Sequence, residues 1–193
     1  MQPIVLASAS PRRSAILARS GALFEVSPVD CCEVRLPDPV ETCATNARLK
    51  WTAARALHPR RWLLAADTVV SCEGKTFGKP SGWEEAIQML LAFSGKQQHV
   101  FTAVCLSTPE QPKPDLFIET SALLFRRLSR ADAETYLDLA KTLGCAGAYD
   151  IGTYGDRIVS RITGSTTNIE GLPAGIVEQW LHSRRYPLFT PPS

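Results

Sequence analysis

The residues best suited to chemistry gather first at positions 4–17, IVLASASPRRSAIL. Ser8 and Ser10 stand where one apolar run gives way to another, and Arg12 and Arg13 follow Pro11 directly. Ser10 before Pro11 reads as a helix N-cap followed by a proline at the first helical position, where its missing N–H does no harm. The start of a helix already offers unpaired N–H groups and the positive end of the dipole. Two guanidiniums there oppose the helix unless an anion is expected, and a phosphate fits best. The plain alternative is an ordinary cap with two solvated arginines.

Asp67 is the second anomaly. It interrupts LLAADTVVS, which otherwise reads as an interior strand, and a buried carboxylate without a partner is costly. The expectation is a strand end facing a cleft, with the carboxylate holding a metal or a water; the alternative is a salt-bridged structural aspartate. Glu33 falls in an irregular loop, Lys50 in a helix with an apolar face, and Lys79 in FGKPSG between Gly78 and Pro80. Each of these is ordinary alone. Together, two carboxylates, two lysines and two arginines form the inventory for a metal-bound triphosphate: carboxylates for divalent cations, cations for phosphate oxygens. No G-x-x-x-x-G-K-[ST] occurs, and no G-x-G-x-x-G follows a strand, so neither a P-loop nor a dinucleotide fingerprint is present.

These residues need a scaffold. PIVLAS reads as a short buried strand, a helix follows to about Arg19, and ALFEVSP is a second strand. DCCEVRLPDP is a loop, and residues 40–57 form a helix whose Ala47, Trp51, Ala54 and Leu57 recur at helical spacing. A strongly apolar strand over 62–75 turns at Glu73-Gly74. Ser81 with Glu84 reads as a capping box for a helix ending at Gly95. HVFTAVCLST and LFIETSALLFRRL are strands joined by a proline-rich hairpin loop. Ser129 and Asp132 open a helix closed by Gly144. CAGAYDIGTYG is loop-like, RIVSRIT a strand, GLPAGIVEQWLHS the last helix, and residues 184–193 a surface tail. Strands and helices intermixed around a hairpin predict an α/β domain with a mixed sheet.

The 193 residues suit one domain or two intimately packed lobes. A formal net charge of +2 gives no global pull towards nucleic acid or an anionic membrane. No apolar stretch approaches the roughly 20 residues that span a bilayer, and no signal peptide is evident. Cys31, Cys32, Cys43, Cys72, Cys105 and Cys145 form no C-x-x-C pair and read as reduced thiols of a cytoplasmic protein.

LASASPRRSAIL, the glutamate of CCE, NARLKWTAA, AADTVV, FGKPSG, GCAGAY and TNIEGLP occur in the order and at the spacing of the Maf family of nucleoside triphosphate pyrophosphatases. The resemblance runs from residue 4 to about 181. It implies an α/β fold with a curved mixed sheet, flanking helices and a deep groove between two lobes, similar to inosine triphosphate pyrophosphatases, formed by residues 1–193 as one domain. It implies hydrolysis of a nucleoside triphosphate to monophosphate and pyrophosphate with Mg²⁺ or Mn²⁺. Asp67 becomes the general base, Glu33 and Asp67 the metal ligands, and Ser8, Ser10, Arg12, Arg13, Lys50 and Lys79 the substrate-binding set. A homodimer is carried over from the family, as is a second role, that of a nucleotide-binding regulator of septation with little catalysis.

Three positions bear on the base. Arg12 after SP and Thr68 after the aspartate resemble the subfamily acting on dTTP and UTP. The third departs: that subfamily has AYxIQG, and this chain has AYDIGTYG, with Gly152 in place of the glutamine. A glycine supplies no side-chain hydrogen bond to a base. The acidic run also departs, with Cys32 where the family often has a second acid and Asp30 and Glu33 retained. On this reading Arg13 serves the phosphates and Arg12 reads the nucleotide.

Overall fold

A computed structural model describes residues 2–188. Seven strands form one mixed sheet in the order β2-β1-β3-β5-β6-β7, with β4 paired to β3. β1 (Ile4–Leu6) runs parallel to both β2 (Phe24–Val26) and β3 (Leu63–Cys72). β4 (Lys75–Phe77) is antiparallel to β3, and β7 (Val159–Thr163) is antiparallel to β6 (Asp115–Phe125). β5 (Gln97–Ser107) lies between β3 and β6.

The chain divides into two compact units. Within the described residues the first comprises 2–68, 102–119 and 171–188. It contains α1 (Pro11–Arg19), α2 (Pro39–Leu57) and α6 (Ala174–Ser183). Its core joins Ile4 and Leu6 of β1, Ile16 and Leu17 of α1, Leu64 and Ala66 of β3, and Val177 and Leu181 of α6. The start of α1 follows the sequence closely: Ser10 is the N-cap, Pro11 the first helical residue, and the chain turns away at Gly21 with φ of 74°. Asp38 caps α2 by accepting from the Val40 N–H, and Pro39 again occupies the first helical position. The buried stripe of α2 is Cys43, Ala47, Trp51 and Ala54; Leu57, expected on it, is 64 % exposed because the helix ends there.

The second unit comprises residues 69–101 and 120–170. α3 (Trp83–Phe93) and α4 (Arg130–Ala140) pack over a core of Ile87, Leu90, Phe93, Leu123, Phe125 and Tyr136. The Phe93 ring meets Phe77, Phe125 and Tyr149 at centroid distances of 4.6, 5.2 and 6.3 Å. Ser129 and Asp132 form the expected capping box of α4. The one expected at Ser81 and Glu84 does not form. Gly82 is the cap of α3, Ser81 donates to Glu85, and Glu84 pairs with Arg130 instead. The glycine-rich stretch is more ordered than a loop, holding 3-10 turns at Ala146–Ala148 and Gly155–Arg157, and a short α5 (Thr166–Ile169) precedes residue 171.

Residues 184–188 are at the surface but anchored: Arg184, Arg185 and Pro187 are exposed. Tyr186 is buried, its ring lies 5.0 Å from that of Trp62, and its hydroxyl donates to the Leu23 carbonyl. Positions 189–193 lie outside the described residues. All six cysteines are free thiols; burial pushes Cys43 and Cys105 up to about 12. Among the described residues, no helix is long and apolar enough to cross a membrane.

Candidate active site

β3 places two consecutive residues, Asp67 and Thr68, at the centre of two hydrogen-bond networks within the first unit. Asp67 is mid-strand, not at a strand end as expected, because β3 continues through Val70 to Cys72. Successive strand residues point to opposite faces, so the two networks are built on different partners.

On the Thr68 side, β1 delivers Ser8 and the first turn of α1 delivers Arg13. Ser8 Oγ accepts from the Ser10 N–H at 3.2 Å and from Arg13 Nη1 at 3.1 Å. Arg13 Nη2 donates to Thr68 Oγ1 at 3.1 Å, and Nε donates to the Gly171 carbonyl at 2.8 Å. Thr68 Oγ1 also shares a hydrogen bond of 3.0 Å with Thr102. Burial lowers the pKa of Arg13, and the Asp67 charge works against that shift. The guanidinium nevertheless stays charged, since arginine does not lose its proton in proteins. It therefore presents positive charge to three neutral oxygens. Gly171 is set apart by its backbone, with φ of +106°, where an L side chain is strained; the distances a Cβ would have there, 3.4 Å to Thr68 Oγ1 and 3.5 Å to Arg13 Nε, are ordinary contacts.

On the Asp67 side, α2 supplies the partners. Lys50 Nζ is 2.6 Å from Asp67 Oδ1 and 2.8 Å from Glu33 Oε1. Asn46, one helical turn before Lys50, donates from Nδ2 to Asp67 Oδ2 at 3.3 Å and to the Val34 carbonyl at 3.1 Å. Its Oδ1 accepts from the Val34 N–H at 2.8 Å. Thr42, a turn earlier again, bonds both backbone groups of Leu36. Thr42, Asn46 and Lys50 thus form a polar stripe at i, i+4 spacing beside the apolar one, and it ties down the irregular segment that carries Glu33. Ser27, at the start of that segment, pairs with His58 Nε2 at 2.9 Å.

Burial raises the Asp67 carboxyl above the ordinary carboxylate range; Lys50 and Arg13 pull it back, and Glu33 pushes the same way as burial. The ion pair with Lys50 is that of the plain alternative for Asp67. Two carboxylates face one ammonium, and both point an oxygen at that cation. Such a donor set fits a hard divalent cation, which takes carboxylate oxygens.

Of the residues singled out in the sequence, Ser8, Arg13 and Thr68 meet in one network and Glu33, Lys50 and Asp67 in the other. Ser10 is the α1 cap, accepting from the Arg13 N–H at 3.5 Å. Arg12 is half-buried in the first turn of α1. Lys79 and Gly152 belong to the second unit and are exposed. Gly152 donates its N–H to Asp150 Oδ1 at 3.0 Å. Asn46, Thr102 and Gly171 were not singled out. Asn46 was within reach of sequence reasoning, as a polar residue one turn from Lys50. Thr102 and Gly171 carry no local signal.

The fold has a solved counterpart: the Staphylococcus aureus Ham1 protein matches with a TM-score of 0.54 at 18 % identity, over 95 % of this chain and all of that one. A family model described as Maf-like protein matches residues 3–184, and the chain belongs to that family. Its relatives include the dTTP/UTP pyrophosphatase of Akkermansia muciniphila, 37 % identical over 95 % of this chain and 97 % of the relative. The dTTP/UTP pyrophosphatase of Myxococcus xanthus is 36 % identical over 96 % and 94 %.

Proposed function

We propose that this chain hydrolyses nucleoside triphosphates, dTTP and UTP among them, to the monophosphate and pyrophosphate. The observation that carries the reading is that consecutive residues of β3 hold a buried carboxylate, Asp67, paired with Lys50, and a hydroxyl, Thr68, that accepts from the Arg13 guanidinium. The names of the family relatives supply the substrate class.

The reaction forms a bond from a water oxygen to the α-phosphorus and breaks the bond from that phosphorus to the bridging oxygen, so pyrophosphate leaves. Asp67 takes the proton of the attacking water; burial, by raising its affinity for a proton, suits it to that task. Arg13 has five N–H groups, of which three are committed to Ser8, Thr68 and Gly171. The remainder are available to phosphate oxygens, with Ser8, Ser10, Lys50 and Lys79. Glu33 and Asp67 would hold Mg²⁺ or Mn²⁺, which would neutralise phosphate charge. Arg12, Thr68 and position 152 bear on the base.

The test is pyrophosphate release from a panel of nucleoside triphosphates with Mg²⁺ or Mn²⁺. Release from dTTP and UTP is expected, falling about 10²–10⁴-fold in Asp67→Asn. No release from any nucleotide, or undiminished release by the variant, removes the reading; tight nucleotide binding without turnover favours the regulator.

A further inference from the structure

We propose that Lys50 holds, in the metal-free protein, the place that the divalent cation takes in the working enzyme, so that cation binding and the departure of Lys50 are a single exchange. The inference rests on reading Glu33 and Asp67 as metal ligands. Its ground is geometric. One ammonium touches both carboxylates, at 2.8 and 2.6 Å, and those are the oxygens a bridging cation requires.

Burial gives the exchange a direction. The Lys50 side chain is 14 % exposed and that of Glu33 is 54 % exposed, so the ammonium sits inside and Glu33 forms the wall open to solvent. A divalent cation in place of the ammonium brings a second positive charge to the same two carboxylates. The ammonium and the cation cannot share the same oxygens, because two positive charges within a few ångströms repel strongly where water is scarce. Lysine can leave, since its charge rides on a flexible four-carbon stem.

What remains after it leaves matters equally. Asn46 holds the second oxygen of Asp67 and both backbone groups of Val34, the neighbour of Glu33. The two carboxylates are therefore kept together by a neutral amide that the exchange does not disturb. The freed ammonium then carries its charge to the phosphates, so Lys50 acts as a placeholder before substrate arrives and as a substrate group afterwards.

The experiment is titration of the nucleotide-free protein with Mn²⁺, with free Mn²⁺ read by electron paramagnetic resonance. Lys50→Met should bind Mn²⁺ about tenfold more tightly than wild type or better, the removal of one competing charge being worth at least that factor. Lys50→Arg, which keeps the charge, should gain nothing. A Lys50→Met protein that binds no more tightly than wild type overturns the inference, as does an equal gain in Lys50→Arg. Lys50→Met leaves two carboxylates facing each other, so its folding is checked by circular dichroism first. If it does not fold, the wild-type protein carries the test through reductive methylation read by mass spectrometry. Saturating Mg²⁺ should raise labelling of Lys50 several-fold, and unchanged labelling overturns the exchange. Neither measurement uses a nucleotide, so failure of the pyrophosphatase reading, seen as absent pyrophosphate release, is a separate outcome.

Discussion

Asp67 and Thr68 are neighbours in β3, yet the networks they anchor are opposites in charge. Around Thr68, one half-buried guanidinium donates to three neutral oxygens. Around Asp67, two carboxylates share one ammonium. The first centres on a cation and the second on an anion, and each charge supports the other in part. Burying either kind of charge costs free energy unless something offsets it. The proposed substrate, an anionic phosphate chain with a bound cation, would give each a further partner, one sign on each side of the strand. Folding stability alone would favour pairing Arg13 directly with an acid. That it is bonded to Ser8, Thr68 and a backbone carbonyl instead argues that its charge is kept for something that arrives.

If that contrast is right, the guanidinium network should depend on shape as well as charge. Arg13→Lys keeps the charge but loses the planar fork that reaches Ser8, Thr68 and Gly171 together. The expected loss in kcat/KM is about 10²–10³, the magnitude typical of removing one preorganised donor to developing anionic charge. A steady-state assay on dTTP checks it. A variant with near-wild-type kcat/KM would mean that positive charge alone suffices, and the contrast with the Asp67 side would collapse.

The carboxylate network depends on a neutral residue. Asn46→Ala removes one bond to Asp67 and two to Val34. Buried polar groups left without partners cost roughly 1–3 kcal/mol, read as a lower denaturant midpoint. If Asn46 also positions Asp67, kcat should fall about tenfold with KM for nucleotide nearly unchanged, the energy of one hydrogen bond acting in the transition state. A stability loss with kcat intact would assign Asn46 to the loop alone.

Much of this was readable in advance, and the divide is physical. Ser8, Ser10 and Arg13 are legible because Ser-Pro fixes a helix start locally, and Asp67 because a carboxylate inside an apolar strand is costly wherever the strand packs. Lys50 is legible only in company. Gly171 is not: it meets Arg13 across 158 positions, and no local periodicity reports such a contact. The Ser81 cap failed for a related reason. Glu84 finds Arg130, far along the chain, with Nη2 at 2.6 Å, and that tertiary partner displaces the local one. Residues 184–193 read as a surface appendage, while Tyr186 is buried against Trp62.

Position 152 lies in the other unit, outside both networks, and sharpens the comparison by testing base choice apart from catalysis. A Cβ at Gly152 would stand 3.4 Å from Asp150 Oδ1 and 3.8 Å from Glu170 Oε1, ordinary contact distances, so a side chain is accommodated. Gly152→Gln should raise the preference for dTTP and UTP over CTP by up to about tenfold, within the range of a single recognition contact, with kcat on the preferred nucleotide little changed. An unchanged preference ratio places base recognition elsewhere.

The smallest effect should come from Tyr186, which anchors residues 184–188 far from either charge network along the chain. Its hydroxyl donates to the Leu23 carbonyl at 2.8 Å and contacts the Gln2 carbonyl at 3.2 Å. Tyr186→Phe keeps the ring against Trp62 and removes only those bonds, so the expected cost is about 1 kcal/mol of stability. Activity should be unaffected, because neither Leu23 nor Gln2 holds a member of the two networks. Parallel denaturation and pyrophosphate assays decide it. A loss of turnover larger than the loss of stability would show that the β2 edge, which Tyr186 braces through Leu23, helps to set the Glu33 segment that follows it. The carboxylate network would then extend further along the chain than α2 alone.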